Sequence, residues 1–330
     1  MPCVTTNATS GPTRCVVVSG CNAVPCYHPV LAWKGEKTAS GKRKLQFSPS
    51  GAVGLPLEIP CGQCIGCRLR RAQDWATRCV HEAQFHAENC FLTLTYSPES
   101  LPADGSVDVA VLQRFFKRLR RALDPVRVRY FACGEYGGLT WRPHYHVLLF
   151  GYEFLGDRRF YKATPHGYTY TSEQLDELWG LGQCVIGSLS SQSAGYVARY
   201  SLKKVTGALA ERHYERVDPA TGEIRTLRPE FVVMSRGGKF DRGIGYRFFN
   251  TFCSDLREDF AMVMQPDGAK KVPVPKYYDK LFHEAELERR KLERKKRALK
   301  HRANQTPDRL AVREEVKHAQ LRALKRGNPE

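Results

Sequence analysis

The 330-residue chain is short of acid: 34 Asp and Glu face 52 Lys and Arg, leaving a formal net charge of +18. A surplus of that size argues against a basic partner and for a polyanion, nucleic acid first and an anionic membrane surface second. The chain also lacks any run of about 18 apolar residues, so no segment is expected to span a bilayer. Its opening stretch, MPCVTTNATSGPTRC, lacks the basic-then-apolar layout of a secretory signal, and the expected place of work is a cytoplasm. No G-x-x-x-x-G-K-S/T occurs, which excludes a P-loop and with it a built-in ATP-driven helicase.

Cysteine is plentiful: there are 12, and seven lie within the first 67 residues. In a reducing compartment such residues are buried thiols or metal ligands more often than disulfides. Hydrophobic content of 42% and charged content of 26% are those of an ordinary folded protein. The length suits one good-sized core with extensions, or two modest domains.

Three regions follow from the pattern. Residues 1–60 are rich in Cys, Gly and Pro with little periodicity, and read as an irregular extension. Residues 61–260 carry the alternating strands and amphipathic helices of a folded domain. Residues 261–330 read as a basic, partly disordered helical tail; from 270 onward they hold 19 Lys and Arg against 9 Asp and Glu. Its run ELERRKLERKKRALKHR is helix-prone but too polar to bury a broad face, so it is expected to be solvated.

Within the domain, a helix is expected from Cys61 to about Asn89, then the strand FLTLTY, then a helix capped by Asp108 with Leu112, Phe115, Phe116 and Leu119 on one face. VRVRYFACGE and HYHVLLFG read as two further strands. Ser172 is placed to cap a short helix ending near Trp179; a strand near Cys184 and a helix from Ser191 to Lys204 complete the pattern. Residues 205–260 resist placement.

The strand RPHYHVLLF puts His144 and His146 on one sheet face and Tyr145 on the other. Glu135 ends the preceding strand. If the two strands form a hairpin, its carboxylate joins the imidazoles, and three protein ligands leave positions open on a divalent metal. The plain alternative is a pair of partly buried sheet histidines.

A second constellation lies in AGYVARYSLKK. Tyr196 and Tyr200 share a helix face, and Arg199 and Lys203 each follow a tyrosine by three residues. Two phenols beside basic groups can act as nucleophiles on phosphate; equally, they can be core packing.

The run Cys61-x-x-Cys64-x-x-Cys67 leaves more open. With a fourth ligand from Cys21, Cys26 or His28 it suits structural Zn²⁺; unliganded thiols and an iron–sulfur cluster also fit the spacing. Arg68, Arg70 and Arg71, at the start of the helix that follows, are candidate phosphate contacts, as are Arg199 and Lys204.

Taken together and in this order, CGQCIGCRLRRAQDWATRCVHEA, FLTLTY, GEYG, RPHYHVLLFG and YVARYSLKK resemble the HUH endonucleases. Within them, the chain is most similar to the replication initiators of gokushovirus-type (Microviridae) single-stranded DNA phages. That resemblance implies an α+β fold with an antiparallel sheet of about five strands and flanking helices. It implies Glu135, His144 and His146 as ligands of Mg²⁺ or Mn²⁺, Tyr196 and Tyr200 as paired nucleophiles, and Lys203 as an electrostatic aid. The implied activity is nicking of one strand of origin DNA through a 5′-phosphotyrosine link, followed by strand transfer that closes a circle. The implied partners are single-stranded origin DNA and a host helicase and DNA polymerase, with no membrane, in the cytoplasm of a bacterial host. A non-catalytic, zinc-stabilised DNA-binding protein and a metal-dependent nuclease that uses water are the competing readings.

Overall fold

The computed structural model describes residues 25–38, 43–165, 167–200, 205, 209–217, 221–237, 242–256, 258–265 and 268–326. The first described element is a small antiparallel sheet made of β1 (Val30–Lys37), β2 (Arg43–Gln46) and β3 (Leu57–Ile59), in the order β2-β1-β3. This corrects the expectation of irregular structure before residue 60. Leu31 and Leu45 remain exposed, so backbone pairing rather than apolar alternation defines these strands, and periodicity did not announce them.

The chain continues through α1 (Ile65–Ala83), β4 (Asn89–Thr95), α2 (Val109–Ala122), β5 (Arg129–Tyr136) and β6 (Pro143–Phe150). Next come β7 (Arg159–Thr164), β8 (Gly167–Thr171), α3 (Glu173–Trp179), β9 (Cys184–Ser188) and α4 (Ser191–Tyr200). After α5 (Leu209–Tyr214) and the hairpin β10 (Glu215–Val217) and β11 (Ile224–Thr226) comes β12 (Phe231–Met234). The central sheet is antiparallel throughout, in the order β12-β5-β6-β4-β9-β8-β7. The α+β class is as expected, but the sheet has seven strands rather than about five. The additional strands lie at its edges: β7 is exposed along nearly its whole length, and β12 is only half-buried.

Alternation along the central strands sorts side chains to two helical layers. Leu92, Leu94, Tyr145, Val147 and Leu149 face α2 and α3, where Leu112, Phe115, Phe116, Leu119, Leu175 and Trp179 close a dry core. Burying a side chain the size of Phe115 contributes roughly 2–3 kcal/mol. Both helices begin where the sequence signals it: Asp108 accepts from the Ala110 N–H at 2.8 Å, and Ser172 from the Leu175 N–H at 3.1 Å. Phe131, Cys133, Leu148 and Phe150 face the other way, against Cys79 of α1 and Ala194 and Val197 of α4. Gly134 has no Cβ because one would lie 2.8 Å from the Phe231 ring; its absence lets β12 close onto β5.

Beyond the sheet, α6 (Tyr246–Phe252), the hairpin β13 (Phe260–Gln265) and β14 (Gly268–Pro273), and α7 (Lys276–Asp279) pack together around Phe249, Val263 and Tyr278. The basic region then forms α8 (Glu284–Lys300) and α9 (Pro307–Arg326). The helices were expected, but full solvation was not borne out: Arg290 is buried and bonded to Asp259, and Leu310 is buried beside Tyr27 and Cys64. Among the described residues, no helix is long and apolar enough to cross a membrane.

Candidate functional site

Strand register builds the first site. β5 and β6 pair so that Glu135 lies directly opposite His144, and β4 pairs with β6 so that Thr93 lies opposite His146. Because side chains alternate, His144 and His146 emerge on the α1/α4 side while Tyr145 goes to the opposite core, where its hydroxyl bonds that of Tyr96 at 2.8 Å. The three sequence-predicted ligands thus meet: one ligand atom from each lies within 4.8 Å of the others.

Glu135 Oε1 sits 2.7 Å from Nε2 of His144 and 3.0 Å from Nε2 of His146. The far nitrogens are held too: His144 Nδ1 faces the Arg142 carbonyl at 3.2 Å and His146 Nδ1 faces the Thr93 hydroxyl at 3.1 Å. Such outer partners fix ring orientation and leave Nε2 for a metal. A neutral imidazole carries one N–H, yet His144 presents both nitrogens to acceptors. A divalent cation in place of the second proton suits that donor set. Burial opposes charge on Glu135, but hydrogen bonds from His144 and His146 outweigh it and hold the carboxyl at about 2, so the group is a carboxylate at neutral pH.

α4 lies across this face. Ala194 and Val197 are buried against the sheet and α1, which turns Tyr196 toward the histidines. Its ring centroid is 5.3 Å from that of His146 and 6.2 Å from that of Phe91, both nearly edge-on. Tyr196 is 37% exposed. Tyr200 is the last residue of α4; its side chain, Lys203 and Lys204 lie outside the described residues. Arg199 is exposed on the same helix.

The arginines at the start of α1 divide. Arg71 is exposed and donates to the Gly62 carbonyl at 3.1 Å, and Arg68 is half-buried. Arg70 is engaged internally, pairing with Asp74 at 2.8 Å and donating to the Val274 carbonyl at 2.8 Å; it ties α1 to the strap after β14.

A second cluster forms beside that helix start. Cys26, Cys61, Cys64 and Cys67 bring their sulfurs within 4.8 Å of one another. Of the candidate fourth ligands, Cys26 joins, His28 turns to Glu314 at 2.7 Å, and Cys21 lies outside the described residues. Burial opposes a thiolate at Cys64, yet N–H groups of Cys67 and Tyr27 aimed at its sulfur bring it down to about 7. Burial pushes the Cys26 and Cys67 thiols up.

Sequence reading missed the orienting groups: the Thr93 hydroxyl, the Arg142 carbonyl and the Phe91 ring stacked 5.3 Å from His146. Alternation in FLTLTY puts Phe91 and Thr93 on one face, but only the register shows which partner they meet.

Three comparisons bear on this arrangement. The family described as "Replication-associated protein ORF2/G2P" matches residues 89–205, the stretch from β4 to just past α4. The replication-associated protein VP4 of Bdellovibrio phage phiMH2K is 32% identical over 226 residues, 67% of this chain and 66% of its own length. The replication-associated protein ORF2 of Spiroplasma virus 4 is 32% identical over 232 residues, 67% of each chain. A shorter match, 33% over 153 residues, joins 44% of this chain to 38% of the replication-associated protein ORF4 of Chlamydia phage 1. No solved structure matches.

Proposed function

Since the chain belongs to the replication-associated proteins of gokushovirus-type phages, we propose that it initiates rolling-circle replication by nicking one strand of origin DNA in the manner of an HUH endonuclease. The observation that carries this reading is the convergence of Glu135, His144 and His146 within 4.8 Å, with the exposed Tyr196 ring 5.3 Å from His146. A structural histidine pair needs neither the buried carboxylate between the rings nor an open phenol beside them.

In this reading Glu135, His144 and His146 hold Mg²⁺ or Mn²⁺. When bound, the ion supplies charge neutralisation at the scissile phosphate. The Tyr196 phenol oxygen attacks phosphorus, the bond from phosphorus to the 3′ oxygen breaks, the phenolic proton passes to solvent, and the departing oxygen takes up a proton. The product is a 5′-phosphotyrosine and a free 3′ hydroxyl for a host polymerase. Tyr200, one helical turn on, makes the second cut after a round of synthesis. The released 3′ hydroxyl then attacks the first phosphotyrosine and closes the circle. The ester retains the energy of the broken phosphodiester, so joining needs no ATP. Lys203 steadies the phenolates electrostatically, and Arg68, Arg71, Arg199 and Lys204 contact backbone phosphates. A host helicase opens the duplex, because the chain has no P-loop.

The test incubates the protein with Mn²⁺ or Mg²⁺ and a labelled single-stranded oligonucleotide pool from a related phage origin, followed by a denaturing gel. A covalent adduct that requires metal and disappears in Tyr196→Phe/Tyr200→Phe supports the reading. Cleavage that survives in the double variant points instead to a water-using nuclease. Neither cleavage nor adduct, across several origins, leaves a DNA-binding protein without catalysis.

A further inference from the structure

The four clustered thiols have no role in the nicking chemistry proposed above, and their geometry is specific. Cys26 Sγ lies 3.6 Å from Cys61 Sγ and 3.9 Å from Cys64 Sγ. A disulfide needs sulfurs about 2.05 Å apart. A tetrahedral Zn²⁺ with Zn–S bonds of about 2.3 Å sets its sulfurs about 3.8 Å apart. In a four-iron cluster each sulfur binds a different corner iron and the thiolates stand well apart, whereas all four here lie within 4.8 Å.

Backbone donors surround the sulfurs. The N–H groups of Cys61, Gln63, Cys64, Cys67 and Tyr27 point at Sγ atoms of the cluster at 3.2–3.5 Å. Five donors onto three sulfurs stabilise negative charge, which neutral thiols do not need and thiolates bound to a cation do. The backbone is shaped for the approach: a Cβ on Gly66 would lie 2.0 Å from the Pro25 carbonyl oxygen. Only glycine at that position lets residues 25–27 close over the start of α1.

We infer that Cys26, Cys61, Cys64 and Cys67 hold one Zn²⁺, and that this centre seats the C-terminal helix α9 against the domain. Leu310 is buried against Tyr27 and Cys64, and Glu314 pairs with His28 at 2.7 Å. Three segments far apart in sequence, 25–28, 61–67 and α9, therefore meet at the metal. The site is independent of the proposed nicking centre and of whether the protein nicks at all.

The test uses the full chain. Elemental analysis of freshly purified protein is expected to find one zinc per chain, retained in Glu135→Ala/His146→Ala and lost in Cys64→Ser. Cobalt substitution should give thiolate charge-transfer and tetrahedral visible bands. Cys26→His, a ligand change that Zn²⁺ accepts, should keep the metal and so separates ligation from misfolding. Chelation of the wild type should speed hydrogen exchange in residues 307–326, and added Zn²⁺ should reverse it. Zinc that survives Cys64→Ser, iron in place of zinc, or no metal with four freely titratable thiols overturns the site. Bound zinc whose removal leaves exchange in α9 unchanged overturns its role in seating that helix.

Discussion

The Tyr196 ring stands 5.3 Å from the imidazole of His146, at 78° to it. Two elements that sequence spacing treats separately, a strand histidine and a helix tyrosine, thereby share one face. α4 is held in that place by Ala194 and Val197 on the sheet, which sets the backbone from which the phenol projects. Tyr196→Phe is expected to keep fold and metal binding while lowering the rate of first-strand cleavage by more than about 100-fold. Single-turnover gels with the single and double variants rank the two phenols; an unchanged rate in Tyr196→Phe would make Tyr200 the first nucleophile.

Thr93 is a positioning residue. Its hydroxyl meets Nδ1 of His146 at 3.1 Å, leaving Nε2 toward Glu135. Thr93→Val should weaken Mn²⁺ affinity by about 10–100-fold and leave cleavage near wild type once metal is saturating. Thr93→Ser should restore affinity. A defect that high Mn²⁺ does not rescue would mean the hydroxyl acts elsewhere.

Most of this site was legible in the sequence because strand and helix periods are local. The alternation in RPHYHVLLF placed both histidines on one face, and the four-residue tyrosine spacing predicted two phenols on one helix side, of which Tyr196 lies within the described side chains. Cys26 was one of three candidates for the fourth ligand, and only closure over Gly66 selects it. What stayed hidden depends on pairing partners: Thr93 against His146, β12 against β5, and the exposed β7–β8 hairpin. Arg290 was hidden for the opposite reason. Its helix reads as a solvated charge run, and its burial requires Asp259, 31 residues away, as a partner.

His81 should make stability pH-dependent. It is fully buried, stacked on Phe248 with Tyr278 beside it, and its ring nitrogens meet the Tyr278 hydroxyl at 2.9 Å and the Met262 carbonyl at 3.1 Å. Burial, opposed in part by the Met262 carbonyl, lowers its pKa to about 4. An unfolded histidine titrates near 6.5, so between the two values the unfolded chain binds the extra proton. Stability from this group is full above about pH 6.5 and falls as pH drops toward 4, by roughly 3 kcal/mol in all. His81→Phe keeps a ring in the stack. It should start lower at pH 7, having lost two hydrogen bonds, but show a shallower decline in melting temperature between pH 7 and 5. Parallel declines would place the acid sensitivity elsewhere.

Arg290 and Arg297 offer a matched pair of tests on one helix, since both reach Asp259. Arg290 is 1% exposed and donates to Asp259 Oδ1 at 2.9 Å and to the Leu256 carbonyl at 2.6 Å. Arg297 is 45% exposed and reaches Asp259 Oδ2 at 3.3 Å. Removing a buried partner leaves uncompensated polar groups, whereas an exposed pair is screened by water. Arg290→Ala is therefore expected to cost about 2–4 kcal/mol, moderated because Arg294 still holds Asp259. Arg297→Ala should stay within about 0.5 kcal/mol of wild type. Urea denaturation of both variants reads the difference. Equal losses would mean that Arg290 contributes only as surface charge and that α8 is not anchored through it.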